Sequence, residues 1–137
     1  MVELSTGIVD RVAAAALAAV EAPIDVTHLA RMTLGDACLE HEVLQLYDRQ
    51  AELLLARIQQ VTPTAAAAYA HTLKGSSRGI GAFKVARAAE AVEFAATTNT
   101  EADVAAAINH LGAEIGEARA VIAELLRLPL RNRPHAG

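Results

Sequence analysis

The sequence predicts an all-α protein, an antiparallel four-helix bundle with an additional N-terminal helix. Apolar residues recur three and four apart in each long segment, and each segment stops at a cap or breaker. No strand pattern with a hairpin turn occurs, and no repeat or low-complexity linker divides the 137 residues. The expected organisation is a helical extension over 1–22, the bundle over 23–128 and a flexible tail over 129–137. A chain of this length buries a core without disulfides or a structural metal.

Residues 5–21 read as an amphipathic helix with Ile8, Val9, Val12, Ala16, Leu17 and Val20 on one face, covering a side of the bundle or pairing with a second copy. Ala22-Pro23 breaks it, and Asp25 caps a short helix to about Met32, in which His28 is a surface or packing residue. Asp36 caps a long helix to about Gln60, with Leu39, Val43, Leu46, Tyr47, Leu53, Leu54 and Ile58 as its apolar stripe. Cys38 and His41 lack the further ligands that zinc requires, so Cys38 reads as a small core or boundary residue.

Thr62 or Thr64 caps the next helix around Pro63, and Gly79 and Gly81 kink or end it. Phe83 to Thr97 follows, with Val85, Ala88, Ala89, Val92 and Ala96 inward. Thr100 caps the last helix, whose seam is Val104, Ile108, Leu111, Ile115, Ala118, Ile122 and Leu125, with His110 beside it as a boundary residue. Leu128-Pro129 ends it, and His135 belongs to the tail.

Composition excludes several classes. Hydrophobic residues make up 53%, but many are alanines, which fits close-packed helices. The longest apolar run near the start, Val12 to Val20, lies between Arg11 and Glu21 and is too short to span a bilayer. Glu3 and Asp10 precede any positive charge, unlike a secretory signal. A net charge of −4 and 3% aromatic residues argue against nucleic-acid binding. Cys38 is the single cysteine, so no internal disulfide forms, in keeping with a cytoplasmic location.

The chemistry concentrates between Ala70 and Ala82. At about 100° per residue, His71, Lys74, Gly75 and Arg78 share one helix face, while Tyr69, Leu73, Ser76 and Ile80 point the other way with Ala66, Ala70 and Ser77 flanking them. A histidine on an outer face can offer Nε2 as a nucleophile, and the neighbouring cations suit a phosphoryl group. Gly75 costs about 1 kcal/mol relative to alanine in mid-helix, which implies close approach by a partner there. Ala67 and Ala68, one turn ahead of the histidine, offer flat surface for docking. Ser76 lies about 140° from His71 on the inner side, and no carboxylate or serine nucleophile is placed to form a dyad with the histidine.

The string His71-Thr72-Leu73-Lys74-Gly75-Ser76-Ser77, with Gly81 ten residues beyond the histidine, resembles the signature of histidine-containing phosphotransfer (HPt) domains of bacterial multistep phosphorelays. The similarity extends to Val92-Glu93 and more loosely to Ile24-Asp25 and the stretch 36–61, spanning about residues 23–128. The resemblance implies an antiparallel four-helix bundle in which His71 takes a phosphoryl group from a receiver-domain aspartate and passes it on. Lys74 would be its electrostatic partner, Gly75 would give clearance, and Arg78, Ala67 and Ala68 would meet the partner. The partners implied are response-regulator receiver domains and a hybrid sensor histidine kinase. The Mg²⁺ of the reaction is expected on the receiver, and the chain itself is expected to hold no metal or cofactor. No glycine-rich nucleotide-binding loop occurs, so the expectation is a monomeric phosphocarrier and not a kinase. Glu90 and Glu93 read as solvated charges, with Glu93 at a recurring structural position. The alternative is a helical interaction module with His71 an ordinary surface residue.

Overall fold

Local signals define the ends of five helices in the computed structural model, which describes residues 22–98 and 100–129. The proposed helix over 5–21 and the tail from residue 130 lie outside the described residues. Helix α1 (Val26–Met32) starts at Asp25, whose carboxylate accepts the His28 N–H at 3.0 Å. Asp36 does the same for Leu39 at the start of α2 (Ala37–Gln60). Helix α3 (Pro63–Ile80) carries Thr62 as N-cap with Pro63 in its first turn, where a missing N–H costs nothing. Helix α4 (Phe83–Thr98) leads to α5 (Glu101–Arg127), which opens with a reciprocal box between Thr100 and Asp103. All regular elements among the described residues are helical. No helix among them is long and apolar enough to cross a membrane.

The four long helices touch in a closed cycle: α2 packs on α3, α3 on α4, α4 on α5 and α5 on α2, with α1 against α3. Leu44, Ile58, Leu73, Val85, Val92, Leu111, Ile115 and Ile122 are fully buried where these faces converge. Ala51, Ala70 and Ala89 are equally inaccessible, so the helices approach over small side chains. Arg119 of α5 closes the cycle on its outer side by pairing with Asp48 of α2 at 2.8 Å.

Two connections set the geometry of α3. Gly81 adopts φ +88°, a left-handed conformation natural to glycine, and ends the helix. Its carbonyl accepts the Asp25 N–H at 2.9 Å, and a Cβ at this position would stand 2.8 Å from the Asp25 carbonyl oxygen. The start of α1 is therefore stitched against the end of α3. Inside, Tyr47 of α2 and Ser77 of α3 share a buried hydrogen bond of 2.7 Å. Burial pushes the Tyr47 phenol up to about 12, with the Ser77 hydrogen bond pulling weakly the other way.

The structure corrects several expected faces. Leu39, Leu46 and Leu53 are exposed, and the buried stripe of α2 is Leu44, Tyr47, Ala51, Leu54 and Ile58. Both α3 and α5 pack on α2, and the direction between them, not the densest run of leucines, defines inside. On α3, Ser77 is inaccessible and hydrogen-bonded to Tyr47 of α2, whereas Ser76 is only half-buried and lines the open groove between α2 and α3. Cys38 is exposed, as is His110, and on α4 the inward set includes Ala86 and Ala95 while Ala96 is half-buried.

Tyr47→Phe and Ser77→Ala are each expected to lower unfolding stability by about 1 kcal/mol, and the double variant by less than the sum. Since the folded-state value of Tyr47 lies above the unfolded value of 10.0, its contribution is intact below pH 10 and lost as pH rises towards about 12. Urea titrations across that window should show this alkaline loss in the wild type and its reduction in Tyr47→Phe. Gly81→Ala is expected to cost about 1–3 kcal/mol, from the left-handed backbone and the contact with Asp25. A thermal melt equal to that of the wild type would contradict this.

Candidate functional site

The outer face of α3 holds the residues expected from the sequence, and α4 supplies the partners that the sequence did not disclose. His71 projects from α3 with its side chain 70% exposed. Its Nδ1 lies 3.0 Å from Oε2 of Glu93 on α4. The other carboxylate oxygen of Glu93 meets Lys74 Nζ at 2.8 Å. One turn further, Arg78 pairs with Glu90 at 3.0 Å, and Lys74 also reaches Glu90 at 3.9 Å. Three basic side chains of α3 and two acids of α4 thus form one continuous network. Burial would raise the Glu93 carboxyl, but Lys74 and His71 in contact with its two oxygens outweigh burial and hold it below the ordinary carboxylate range.

The arrangement fixes the histidine's chemistry. An ionised carboxylate only accepts hydrogen bonds, so the proton between His71 and Glu93 sits on Nδ1. A neutral imidazole protonated there presents an unprotonated Nε2, with its lone pair, to the outside. If Nε2 acquires a substituent, the positive charge that develops on the ring faces Glu93.

The expected lack of a dyad carboxylate is corrected here: Oε2 of Glu93 stands where it can form a dyad with His71. Glu93 is 22 residues away in sequence, so only the pairing of α3 with α4 reveals it. The sequence signal that pointed to it was its place in the Val92-Glu93 similarity. Both acids are engaged by Lys74 and Arg78, and no set of three or more metal-ligating side chains occurs among the described residues.

Gly75 and Gly79 face open space, since a Cβ at either would meet nothing within 4 Å. Nothing within the described chain demands these glycines. Ala68 is exposed and Ala67 half-buried on the same helix, one turn before His71. The other histidines stand apart from this network: His28 packs edge-on against Phe83 at 5.1 Å between ring centres, and His110 lies 3.8 Å from Glu114 on α5. Cys38 and His41 belong to no metal-ligating group among the described residues, and His135 lies outside them.

Comparison with known proteins gives one result. A family model described as the Hpt domain matches residues 36–121, from the cap of α2 into α5, and includes the whole His71 network. No curated protein and no solved structure matches the chain. With the match covering more than half its length, the chain belongs to the Hpt domain family, the phosphotransfer domains of two-component signalling systems.

Proposed function

We propose that His71 is the phosphoryl carrier of this chain, taking the group from the phosphorylated aspartate of a response-regulator receiver domain and passing it to another receiver in a multistep phosphorelay. The observation that carries this reading is the exposed ring of His71 with Nδ1 held by Glu93. The Nε2 lone pair attacks phosphorus in line with the aspartyl oxygen, the P–O bond breaks, and the aspartate leaves as a free carboxylate. Nδ1 keeps its proton throughout, and Glu93 balances the charge of the phosphorylated ring. Transfer onward is the same step in reverse on a second aspartate.

Lys74 and Arg78 supply positive charge to the phosphoryl oxygens by exchanging their bonds with Glu93 and Glu90. The Arg78–Glu90 pair is exposed and worth about 0–1 kcal/mol, so exchanging it costs the fold little. Gly75 gives the receiver clearance over the helix, and Ala67, Ala68 and Arg78 lie where it would dock. The Mg²⁺ of the reaction belongs to the receiver in this scheme, and the donor upstream is a hybrid sensor histidine kinase. The closed cycle of contacts supports reading the four long helices as the family's antiparallel four-helix bundle. The scheme places the chain in the cytoplasm, where receivers and kinase domains meet.

Incubation with a labelled phospho-receiver should put acid-labile, base-stable label on the wild type and none on His71→Gln. Equal labelling of the two proteins would defeat the assignment. Glu93→Gln, which keeps the shape but removes the charge, is expected to slow transfer by roughly tenfold or more. Gly75→Leu should fold with equal or greater stability, by up to about 1 kcal/mol, because glycine is the poorer helix former and the site is open. Its transfer rate should nevertheless fall, and an unchanged rate would remove the clearance role of Gly75.

A further inference from the structure

Two acids of α4 face the bases of α3, and they are not equivalent. Glu93 is half-buried and holds both Nδ1 of His71 and Nζ of Lys74. Glu90 lies one turn nearer to Gly81, and its ion pairs among the described residues are with Arg78 at 3.0 Å and Lys74 at 3.9 Å. The side chains of Arg78 and Glu90 are 56% and 59% exposed, so both can turn without disturbing the core. A helical side chain leans towards the N-terminus of its helix, which for Arg78 is the direction of His71. Lys74 and Arg78 are matched by Glu90 and Glu93, so the site carries no net charge while His71 is neutral. A phosphoryl group on Nε2 adds about two negative charges to this balanced set. It then competes with Glu90 for the same cations.

We propose that Glu90 sets the share of phosphate that rests on His71: it seats Arg78 in the unphosphorylated protein and competes with the phosphoryl group for that cation afterwards. The inference rests on the phosphocarrier reading of His71 and concerns the equilibrium of that step. Transfer forms the Nε2–P bond and breaks the P–O bond to the receiver aspartate, which departs as a carboxylate, while Nδ1 keeps its proton. The pair with Glu90 must open before Arg78 can reach the phosphoryl oxygens, so Glu90 favours the free form over the phosphorylated one. A group held less firmly passes more readily to the next aspartate. Glu90 touches neither the ring nor the reacting atoms; it is a positioning residue that acts through Arg78 and, at longer range, Lys74.

Equilibrating the full chain with a labelled receiver domain, approached from the phosphohistidine and from the phosphoaspartate side, measures the ratio of the two phosphorylated species. Glu90→Gln keeps the shape and removes the charge, and should shift this ratio towards His71 by about three- to fivefold, the scale of an exposed ion pair. Arg78→Gln should shift it the other way, and in an Arg78→Gln background Glu90→Gln should lose most of its effect. Glu117→Gln removes an equal charge from the pair with Lys84 and should leave the ratio unchanged. A ratio unmoved by Glu90→Gln, or moved towards the receiver, overturns the inference. An equal shift in Glu117→Gln overturns it by tracing the effect to net charge, and an undiminished shift in the Arg78→Gln background does so by making it direct repulsion. In all these cases His71 still carries label and its assignment stands. Absence of label on the wild type is the separate result that removes the phosphocarrier reading and this inference with it.

Discussion

The register between α3 and α4 is the constraint on which the site depends. His71 lies ten residues before Gly81, and Glu93 eleven residues after Ala82. Both helices rise about 1.5 Å per residue, so residues equally far from the turn come level with each other. The turn must therefore be short and of one shape, and the left-handed Gly81, tied to Asp25, supplies that shape. Small residues then let the helix axes close up: Ala70, Ser77, Ala82 and Ala89 are all inaccessible. A bulkier interface would move the α4 carboxylates out of reach of the α3 bases. The alanine-rich composition is thus tied to the chemistry as well as to the packing.

Electrostatics at this face are locally balanced in a chain of net charge −4. His71, Lys74 and Arg78 stand against Glu90 and Glu93, and each carboxylate holds more than one base. Arg78 is pre-positioned without being locked, since its pair with Glu90 is exposed and weak, whereas the pair of Lys74 with Glu93 is half-buried. A phosphoryl group arriving at Nε2 would enter a place where positive charge can be redirected over short distances. The lowered Glu93 carboxyl keeps its negative charge through ordinary pH, so the orientation of the imidazole is maintained. Under the proposed function the network would orient the His71 ring first and neutralise the incoming charge second.

The surface divides into two faces with different physics. On α3, polar and small residues surround an exposed ring, and Gly75 and Gly79 leave the backbone open although the described chain has nothing to place there. On α2, leucines stand exposed in heptad order. Under the proposed function the first would meet the receiver domain. Tyr47 and Ser77 connect the two helices beneath both faces through the hydrogen bond that specifies how α2 and α3 meet.

Much of this was legible in the sequence because it is local. Asp25, Asp36, Thr62 and Thr100 cap helices within three residues of themselves, and Gly81 needs only its own φ to end one. The shared face of His71, Lys74, Gly75 and Arg78 follows from helical spacing, as does most of the α5 seam. What only the tertiary structure decided is how one helix is turned towards the next. Periodicity identified apolar residues on α2 but not which of two adjacent stripes would be covered, because that depends on where α3 and α5 sit. The same ignorance hid Ser77 behind Ser76. It also hid Glu93, a surface acid by composition, which becomes the partner of His71 only when two helices dock in register. Spacing along the chain fixes angles within a helix; contacts between helices are set by packing, which joins residues that the sequence keeps far apart.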